Sequence, residues 1–392
     1  MQTSKITSRV SLRRGRRAFT LLACATTLCA LTAGTASAQL AYSIEFQGPT
    51  VGLPATAPAG AVIGAGDVLV PAAGTPSVVV FASTIGIAPG ASGEPEVDAL
   101  SFGNDPRVHC DNNRPWLFSV DEFAVGVPSG APDVRSEGAA PAGNQEASAD
   151  IYTSTALPSI CQGAAIVGNT GFADGNGMAP FAAPGLSLIE LNAPTTGAAA
   201  DPGDNLDALT CSSSTGRIFF SLDAAWPDPL EGAAGVHSGT ALANGVSPGA
   251  VLVAGGGGGF SVYATPFQLG LVPADDIDAL VLRENGNGVY DPSDVPFDWM
   301  NGQSDMLLFS VKRDSPLIGT LDALNGVAIE DGDILTVTAG GPGILVFAEA
   351  LGLWTARTNG GIPSLLGYGV FGDNLDGLSL QACFPGGGGD PG

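Results

Sequence analysis

The sequence predicts an all-β fold of four tandem four-stranded repeats, closed as a four-bladed β-propeller whose C-terminal strand completes the first blade. Three observations lead to this prediction. The chain contains 57 glycines and 29 prolines, yet 45% of its residues are hydrophobic, which is too apolar for disorder and too rich in turn formers for a helical bundle. Short β-branched apolar runs bounded by Gly or Pro recur along it. The heptapeptide GDNLDAL at 203–209 returns as GDNLDGL at 372–378.

Each repeat contains four elements in a fixed order. The first is an acidic strand start of the type Leu-Asp-Ala-Leu, at 97–100, 206–209, 277–280 and 375–378. The second is an aromatic-Ser-apolar step, at 42–45, 118–121, 220–223 and 309–312. The third is a turn followed by a strand, at 66–69, 149–152, 248–252 and 332–335. The fourth is an apolar stretch that we predict to be a strand, at 79–87, 186–191, 260–271 and 344–353.

The order of the elements predicts that the repeats form a ring. After its N-terminal segment the chain begins at the second element, near Tyr42, and it ends with a lone first element at 375–378. A closed ring explains this permutation, because the last strand can pair with the first repeat and remove exposed sheet edges. A linear β-repeat or β-sandwich array is the alternative.

Residues 1–38 are predicted to be a signal peptide. A basic start is followed by an apolar run at 18–31 and by Ala-Ser-Ala at 36–38, the pattern that precedes signal-peptidase cleavage. Arg16 and Arg17 resemble a twin-arginine export signal, with a general secretory signal as the alternative. Residues 39–380 then form a single all-β repeat domain and 381–392 a flexible Gly/Pro tail. We therefore expect an exported protein, periplasmic or extracellular.

The charge of the chain restricts its partners. All 38 acidic residues follow the predicted cleavage site, whereas six of the 14 basic residues precede it. Nucleic acids and anionic membranes are therefore not expected as partners, because both are bound by clustered Lys and Arg. Cations are the natural partners of so many carboxylates, although the charge alone also serves solubility. An extracellular polysaccharide or another surface protein is the expected macromolecular partner.

The segment 284–294 resembles calcium loops of the dockerin and EF-hand kind. In that pattern oxygen-bearing side chains alternate around a turn glycine, and an acidic residue closes the loop. With Gly288 as the turn residue, the candidate ligands are Glu284, Asn285, Asn287, Asp291 and Asp294. Arg283 stands at position one, where the pattern has Asp, and Glu284 substitutes for it only by a register shift. A Gly/Asn turn without a bound ion is the alternative.

The repeated aspartates are a second candidate calcium site, formed by Asp98, Asp207, Asp278 and Asp376. If their strands are innermost in the ring, the four carboxylates face a common axis and repel one another unless a cation lies among them. The alternative is a strand-start Asp that accepts hydrogen bonds from neighbouring backbone N–H groups.

Four cysteines and three tryptophans complete the candidate residues. Export favours two disulfides among Cys110, Cys161, Cys211 and Cys383; three connectivities are open, and we favour Cys110 with Cys161 and Cys211 with Cys383. Trp226, Trp299 and Trp354 lie in or near loops, where an exposed indole can stack on a sugar.

Signatures of catalysis are absent from the sequence. It has no Gly-x-Ser-x-Gly nucleophile elbow, and its two histidines provide little for a Ser-His-Asp site. We therefore expect a binding or extracellular structural protein stabilised by calcium, without turnover. The alternative is a secreted carbohydrate-active enzyme that uses two carboxylates, about 5–10 Å apart, on propeller loops beside an exposed Trp.

Overall fold

The structure, a computed structural model, describes sixteen segments of the chain. All of them belong to one compact unit, residues 38–392. The described residues are 39–46, 48–88, 96–101, 116–121, 124–130, 132–138, 147–155, 167–177, 185–188, 204–211, 216–223, 239–255, 258–293, 302–359, 362–363 and 370–381.

Four antiparallel four-stranded sheets form the framework, and each sheet is one blade. From the inside outwards, blade 1 contains Leu378–Gln381, Gln39–Tyr42, Val68–Val70 and Ser77–Val80. Blade 2 contains Ala99–Ser101, Trp116–Ser119, Ile151–Ser154 and Thr170–Ala173. Blade 3 contains Ala208–Cys211, Ile218–Ser221, Val251–Ala254 and Phe260–Ala264. Blade 4 contains Ile277–Arg283, Met306–Val311, Ile334–Thr338 and Gly341–Val346.

The blades close into a four-bladed β-propeller, which confirms the fold prediction. The first strands of all four sheets contact one another, so they surround a common axis. The C-terminal strand Leu378–Gln381 pairs antiparallel with the N-terminal strand, with Tyr42 opposite Leu378 and Leu40 opposite Leu380. The last strand of the chain therefore supplies the innermost strand of blade 1, as the permuted order predicted.

The apolar core lies between the blades. Four buried clusters each combine side chains from two neighbouring blades, and the aromatic residues of the second element are fully buried within them: Tyr42, Phe118, Phe220 and Phe309. Since each blade buries its faces against two neighbours, no blade completes a core alone.

The fourth element differs from its prediction. In blade 2 the outer strand is Thr170–Ala173 rather than 186–191, and the described residues of that stretch, 186–188, lie in a loop after a single bridge at Gly185. In the other three blades the strand is followed by one helical turn: Ala82–Ile85, Pro266–Leu269 and Ala348–Leu351. A glycine with positive φ ends each turn, at Gly86, Gly270 and Gly352.

The remaining described elements are short. The helices are Val134–Gly138, Gly239–Asn244, Ala356–Asn359 and a 3₁₀ turn at Ala147–Ala149. Two two-stranded pairs join Ile87–Ala88 with Val125–Gly126, and Ile362–Pro363 with Val370–Phe371. Within the described segments no helix has the length and apolarity that a membrane crossing requires.

The serine of the second element joins neighbouring blades. Ser119 Oγ donates to the carbonyl of Leu206, Ser221 Oγ to that of Ile277, and Ser310 Oγ to that of Leu375, each at 2.8 Å. Each acceptor is the residue directly before a repeated aspartate on the inner strand of the next blade. These bonds therefore fix where the inner strands of blades 3, 4 and 1 begin, whereas the equivalent Ser43 Oγ has no hydrogen-bond partner among the described residues.

Candidate functional site

Acidic side chains gather at the end of the propeller where the inner strands begin. Each blade contributes three equivalent positions: the repeated aspartate, the residue two before it, and the residue two after the serine of the second element. We call these twelve residues the axial cluster: Asp98, Asp207, Asp278 and Asp376; Glu96, Asn205, Asp276 and Asn374; Glu45, Asp121, Asp223 and Lys312.

The β-sheet geometry brings these positions together. In blade 4 the repeated aspartate stands at a register shift between Ile277 and Ala279, so Asp278 is an extra residue at the start of the inner strand. Backbone bonds continue the sheets past the assigned strands: Asp223 N–H donates to Asn205 O at 3.1 Å, and Lys312 N–H to Asp276 O at 3.0 Å. Glu45 N–H likewise donates to Asn374 O at 3.2 Å, so the third position lies opposite the second in blades 1, 3 and 4.

Several carboxylate oxygens of the axial cluster are buried without a hydrogen-bond donor. Asp207 and Asp276 are both 0% exposed, and within the described segments neither oxygen of either side chain accepts a hydrogen bond from any group other than a neighbouring carboxyl. Asp98, Asp278 and Asp376 each have one such oxygen as well. Burying an unpaired carboxylate is unfavourable, so the cluster must be neutralised by protons or by a cation.

Burial and mutual repulsion raise the pKa values of the repeated aspartates and of Asp276. Loss of solvent is the largest cause at Asp98, Asp276 and Asp278, where the pKa lies well above its usual range, and the charge of Asp207 raises it further. Burial likewise raises the pKa of Asp207 to about 7, although the nearby Lys312 opposes this. These carboxylates therefore retain protons unless a positive charge compensates them.

Three of the carboxylates have the spacing of a metal site. Asp207, Asp223 and Asp276 each offer an oxygen, and these oxygens all lie within 4.8 Å of one another. Ligands on opposite sides of a calcium ion, each bonded at about 2.4 Å, are separated by about that distance. We call these three residues the carboxylate triplet. Carboxylate oxygens are the ligands that Ca²⁺ and Mg²⁺ prefer, so the triplet suits a hard divalent cation.

Two basic residues lie at the edges of the axial cluster. Lys312 Nζ is 2.7 Å from Asp223 Oδ2 and 3.9 Å from Asp207 Oδ1. Arg313 Nη2 is 2.5 Å from Glu45 Oε2, and its Nε is 3.5 Å from Asp331. Neither of these contacts reaches Asp276, whose two oxygens are without a donor in the described part of the chain.

A second set of aspartates, which the sequence analysis did not single out, supports the cluster. Asp204, Asp275 and Asp373 each lie three residues before a repeated aspartate. Asp373 accepts hydrogen bonds from the hydroxyl and backbone N–H groups of Thr50, and Asp204 accepts the same pair from Thr240. Asp275 accepts from backbone N–H groups of residues 272 and 317. The sequence contains a pattern that could have identified two of them, because the repeated Gly-Asp-Asn places an aspartate three residues before a repeated aspartate in blades 1 and 3.

The segment 284–293 forms a loop at the other end of blade 4's inner strand, and its asparagine oxygens accept hydrogen bonds from the loop backbone. Asn285 Oδ1 accepts from the backbone N–H of Asn287 at 3.0 Å, and Asn287 Oδ1 accepts from that of Val289 at 2.8 Å. Glu284 forms an ion pair with Arg217 at 3.1 Å. The side chains of Asn285 and Asp291 are 3.4 Å apart at Nδ2 and Oδ2. Asp294 lies outside the described residues.

Asp305, a residue that sequence reasoning missed, closes this loop. Its carboxylate accepts hydrogen bonds from Asn285 N–H at 2.8 Å, Asp291 N–H at 3.0 Å and the Tyr263 hydroxyl at 2.7 Å. Asp305 is only 2% exposed. The loop is thus held by a buried carboxylate with three donors, whereas both oxygens of Asp207 and of Asp276 on the axis are without an N–H or hydroxyl donor among the described residues.

Of the predicted tryptophans and cysteines, the structure describes Trp354 and Cys211. Trp354 is half-buried, and its backbone N–H donates to Asp373 at 2.7 Å. Cys211 ends the inner strand of blade 3. Trp226, Trp299, Cys110, Cys161 and Cys383 lie outside the described residues, so the disulfide pairing stays a prediction.

Compared with protein-family models, curated proteins and solved structures, the chain matches none of them.

Proposed function

We propose that the protein is an exported β-propeller with a binding or extracellular structural role, stabilised by a calcium ion on its axis. The observation behind the proposal is the set of buried carboxylate oxygens without donors at Asp207 and Asp276. A divalent cation at the carboxylate triplet would remove this unfavourable burial, and the 4.8 Å limit on the oxygen separations suits its coordination.

Burial favours a structural ion over a catalytic site. Asp207, Asp223 and Asp276 are at most 1% exposed, so a sugar ring has no access to these carboxylates in the described structure. An ion, in contrast, can be taken up as the blades assemble around it. Ion binding then contributes directly to folding stability, because the unfolded chain lacks the assembled site.

Unfolding in calcium and in chelator tests the proposal. The chain from residue 39 is unfolded thermally at fixed ionic strength, once in excess calcium and once in chelator. A site present only in the folded state adds about 2.7 kcal/mol at a hundredfold excess over its dissociation constant, so the midpoint should rise in calcium. Coincident curves would refute the proposal.

Two matched variants locate the ion. Asp207→Asn removes the negative charge of an axial ligand and should abolish the calcium-dependent shift. Asp322→Asn is the control, because Asp322 is equally buried but accepts hydrogen bonds from the backbone N–H groups of residues 324, 325, 327 and 344. It should lower the midpoint in both conditions and leave the shift intact. A shift that survives Asp207→Asn would place the ion elsewhere.

A further inference from the structure

The fourfold repeat of the axial cluster is broken at one position. Two residues after the serine of the second element, blades 1, 2 and 3 carry Glu45, Asp121 and Asp223, whereas blade 4 carries Lys312. The surrounding backbone is the same, since Lys312 N–H pairs with Asp276 O as Asp223 N–H pairs with Asn205 O. The difference is therefore one of charge within a shared geometry.

The Lys312 ammonium group lies against the carboxylate triplet. Nζ contacts Asp223 Oδ2 at 2.7 Å and lies 3.9 Å from Asp207 Oδ1, while 18% of the side chain is exposed. Asp223 Oδ1 and both oxygens of Asp207 and Asp276 accept no hydrogen bond from the described residues. The ammonium group thus lies at one edge of the triplet, and most carboxylate oxygens of the triplet remain available to a cation.

We infer that Lys312 sets the cation affinity of the axial site, because its ammonium group competes with a divalent ion for Asp223 and Asp207. This inference rests on the proposed function. A divalent ion bound by the triplet would lie within a few ångströms of Nζ, where two positive charges repel strongly in a buried setting. Lys312 also forms an ion pair with Asp223, which makes that carboxylate oxygen less available to a bound ion. Both effects weaken the binding of a divalent ion relative to a site without the lysine.

The neighbouring Arg313 provides a matched control. It is adjacent in sequence and carries the same charge, but it forms ion pairs with Glu45 and Asp331. If only the total charge of the axis mattered, the loss of either cation would have the same effect. If contact with the triplet matters, only the loss of Lys312 should strengthen binding.

Calcium titration by calorimetry on the chain from residue 39 tests the inference. Lys312→Gln removes the charge and should tighten calcium binding about tenfold or more, as expected for the loss of a close like charge. Lys312→Arg keeps a positive charge and should bind calcium like the unsubstituted protein. Arg313→Gln should change the affinity much less than Lys312→Gln does. If Lys312→Gln folds only when calcium is present, that requirement also supports the inference, provided that the unsubstituted protein folds in chelator.

The outcomes separate this inference from the proposed function. If the unsubstituted protein binds calcium and Lys312→Gln binds it equally or more weakly, the inference is overturned while the calcium site stands. If only Lys312→Gln binds calcium, Lys312 controls the site, and the proposed function fails for the natural protein. If neither protein binds calcium, both are overturned. Equal tightening in Lys312→Gln and Arg313→Gln would also overturn the inference, because it would show a dependence on total charge alone.

Discussion

The axial cluster and the loop at 284–293 are both rich in acidic and amide side chains, but their oxygens are used differently. In the loop, Asn285 and Asn287 accept hydrogen bonds from the loop backbone, and Asp305 accepts three hydrogen bonds beneath it. On the axis, both oxygens of Asp207 and of Asp276 have no donor in the described segments. The loop can keep its shape without an ion, whereas the axis needs protons or a cation.

The same distinction appears within a single repeated hexapeptide. In 204–209 the first aspartate, Asp204, is bonded to Thr240, and the second, Asp207, is not bonded to any described donor. Both are 0% exposed, so burial alone does not distinguish them. The supply of donors does distinguish them, and it is the reason why the proposed ion site includes Asp207 and not Asp204. Local acid density is therefore a weaker indicator of an ion site than the number of oxygens without donors.

The largest expected effect is a pH dependence of stability in chelator. Burial raises the pKa of Asp207 to about 7, so the folded protein binds this proton more tightly than the unfolded chain does. Its contribution to the free energy of unfolding is complete below the ordinary Asp value and falls as the pH rises from about 4 to about 7, by on the order of 4 kcal/mol for this one group. Urea unfolding across this range should show the decrease, and Asp207→Asn should reduce it.

Calcium should remove the same pH dependence, because a bound cation keeps the triplet ionised. If the unfolding free energy fell equally with pH in calcium and in chelator, the axial carboxylates would not be ligands, and the contrast with the loop would disappear.

The ring was predictable because its evidence lies in the order of sequence elements. The series of repeat elements starts with a second element at 42–45 and finishes with a lone first element at 375–378, and this order alone predicts that the repeats close into a ring. The outer strand of blade 2 was not predictable in this way. Thr170–Ala173 contains few apolar residues, whereas Leu186 and Leu188 are buried in a loop. Apolar content therefore indicated burial there but not strand conformation.

Only the site residues that occupy repeated positions could be predicted from the sequence. The four repeated aspartates are visible in the sequence, and so is the departure at Lys312, which stands where the other blades carry an acid. Asp305 gave no comparable signal, since its contact with Asn285 spans 20 residues and depends on how the strands pair. Which oxygens lack donors depends on three-dimensional contacts, and no local pattern records them.

A smaller effect is expected when the closing residue of the loop is changed. Asp305→Ala removes a buried acceptor from two backbone N–H groups and from the Tyr263 hydroxyl, which should lower the free energy of unfolding by about 3 kcal/mol. Because Asp305 is bonded by three protein donors, the loss should be the same in calcium and in chelator. Urea unfolding in the two conditions measures both values. A loss confined to calcium would show that the loop, too, depends on an ion.

The smallest effect is expected for Asp291→Asn, which tests the loop as a calcium site directly. Asp291 is exposed, and its only described side-chain contact is the long one with Asn285 at 3.4 Å. An exposed substitution of this kind should change the free energy of unfolding by less than about 0.5 kcal/mol. The calcium-dependent shift of the midpoint should also persist, in contrast to its loss in Asp207→Asn. Thermal unfolding of the two variants side by side gives the comparison. If Asp291→Asn abolished the shift and Asp207→Asn did not, the ion would belong to the loop, and the axial carboxylates would be neutralised by protons instead.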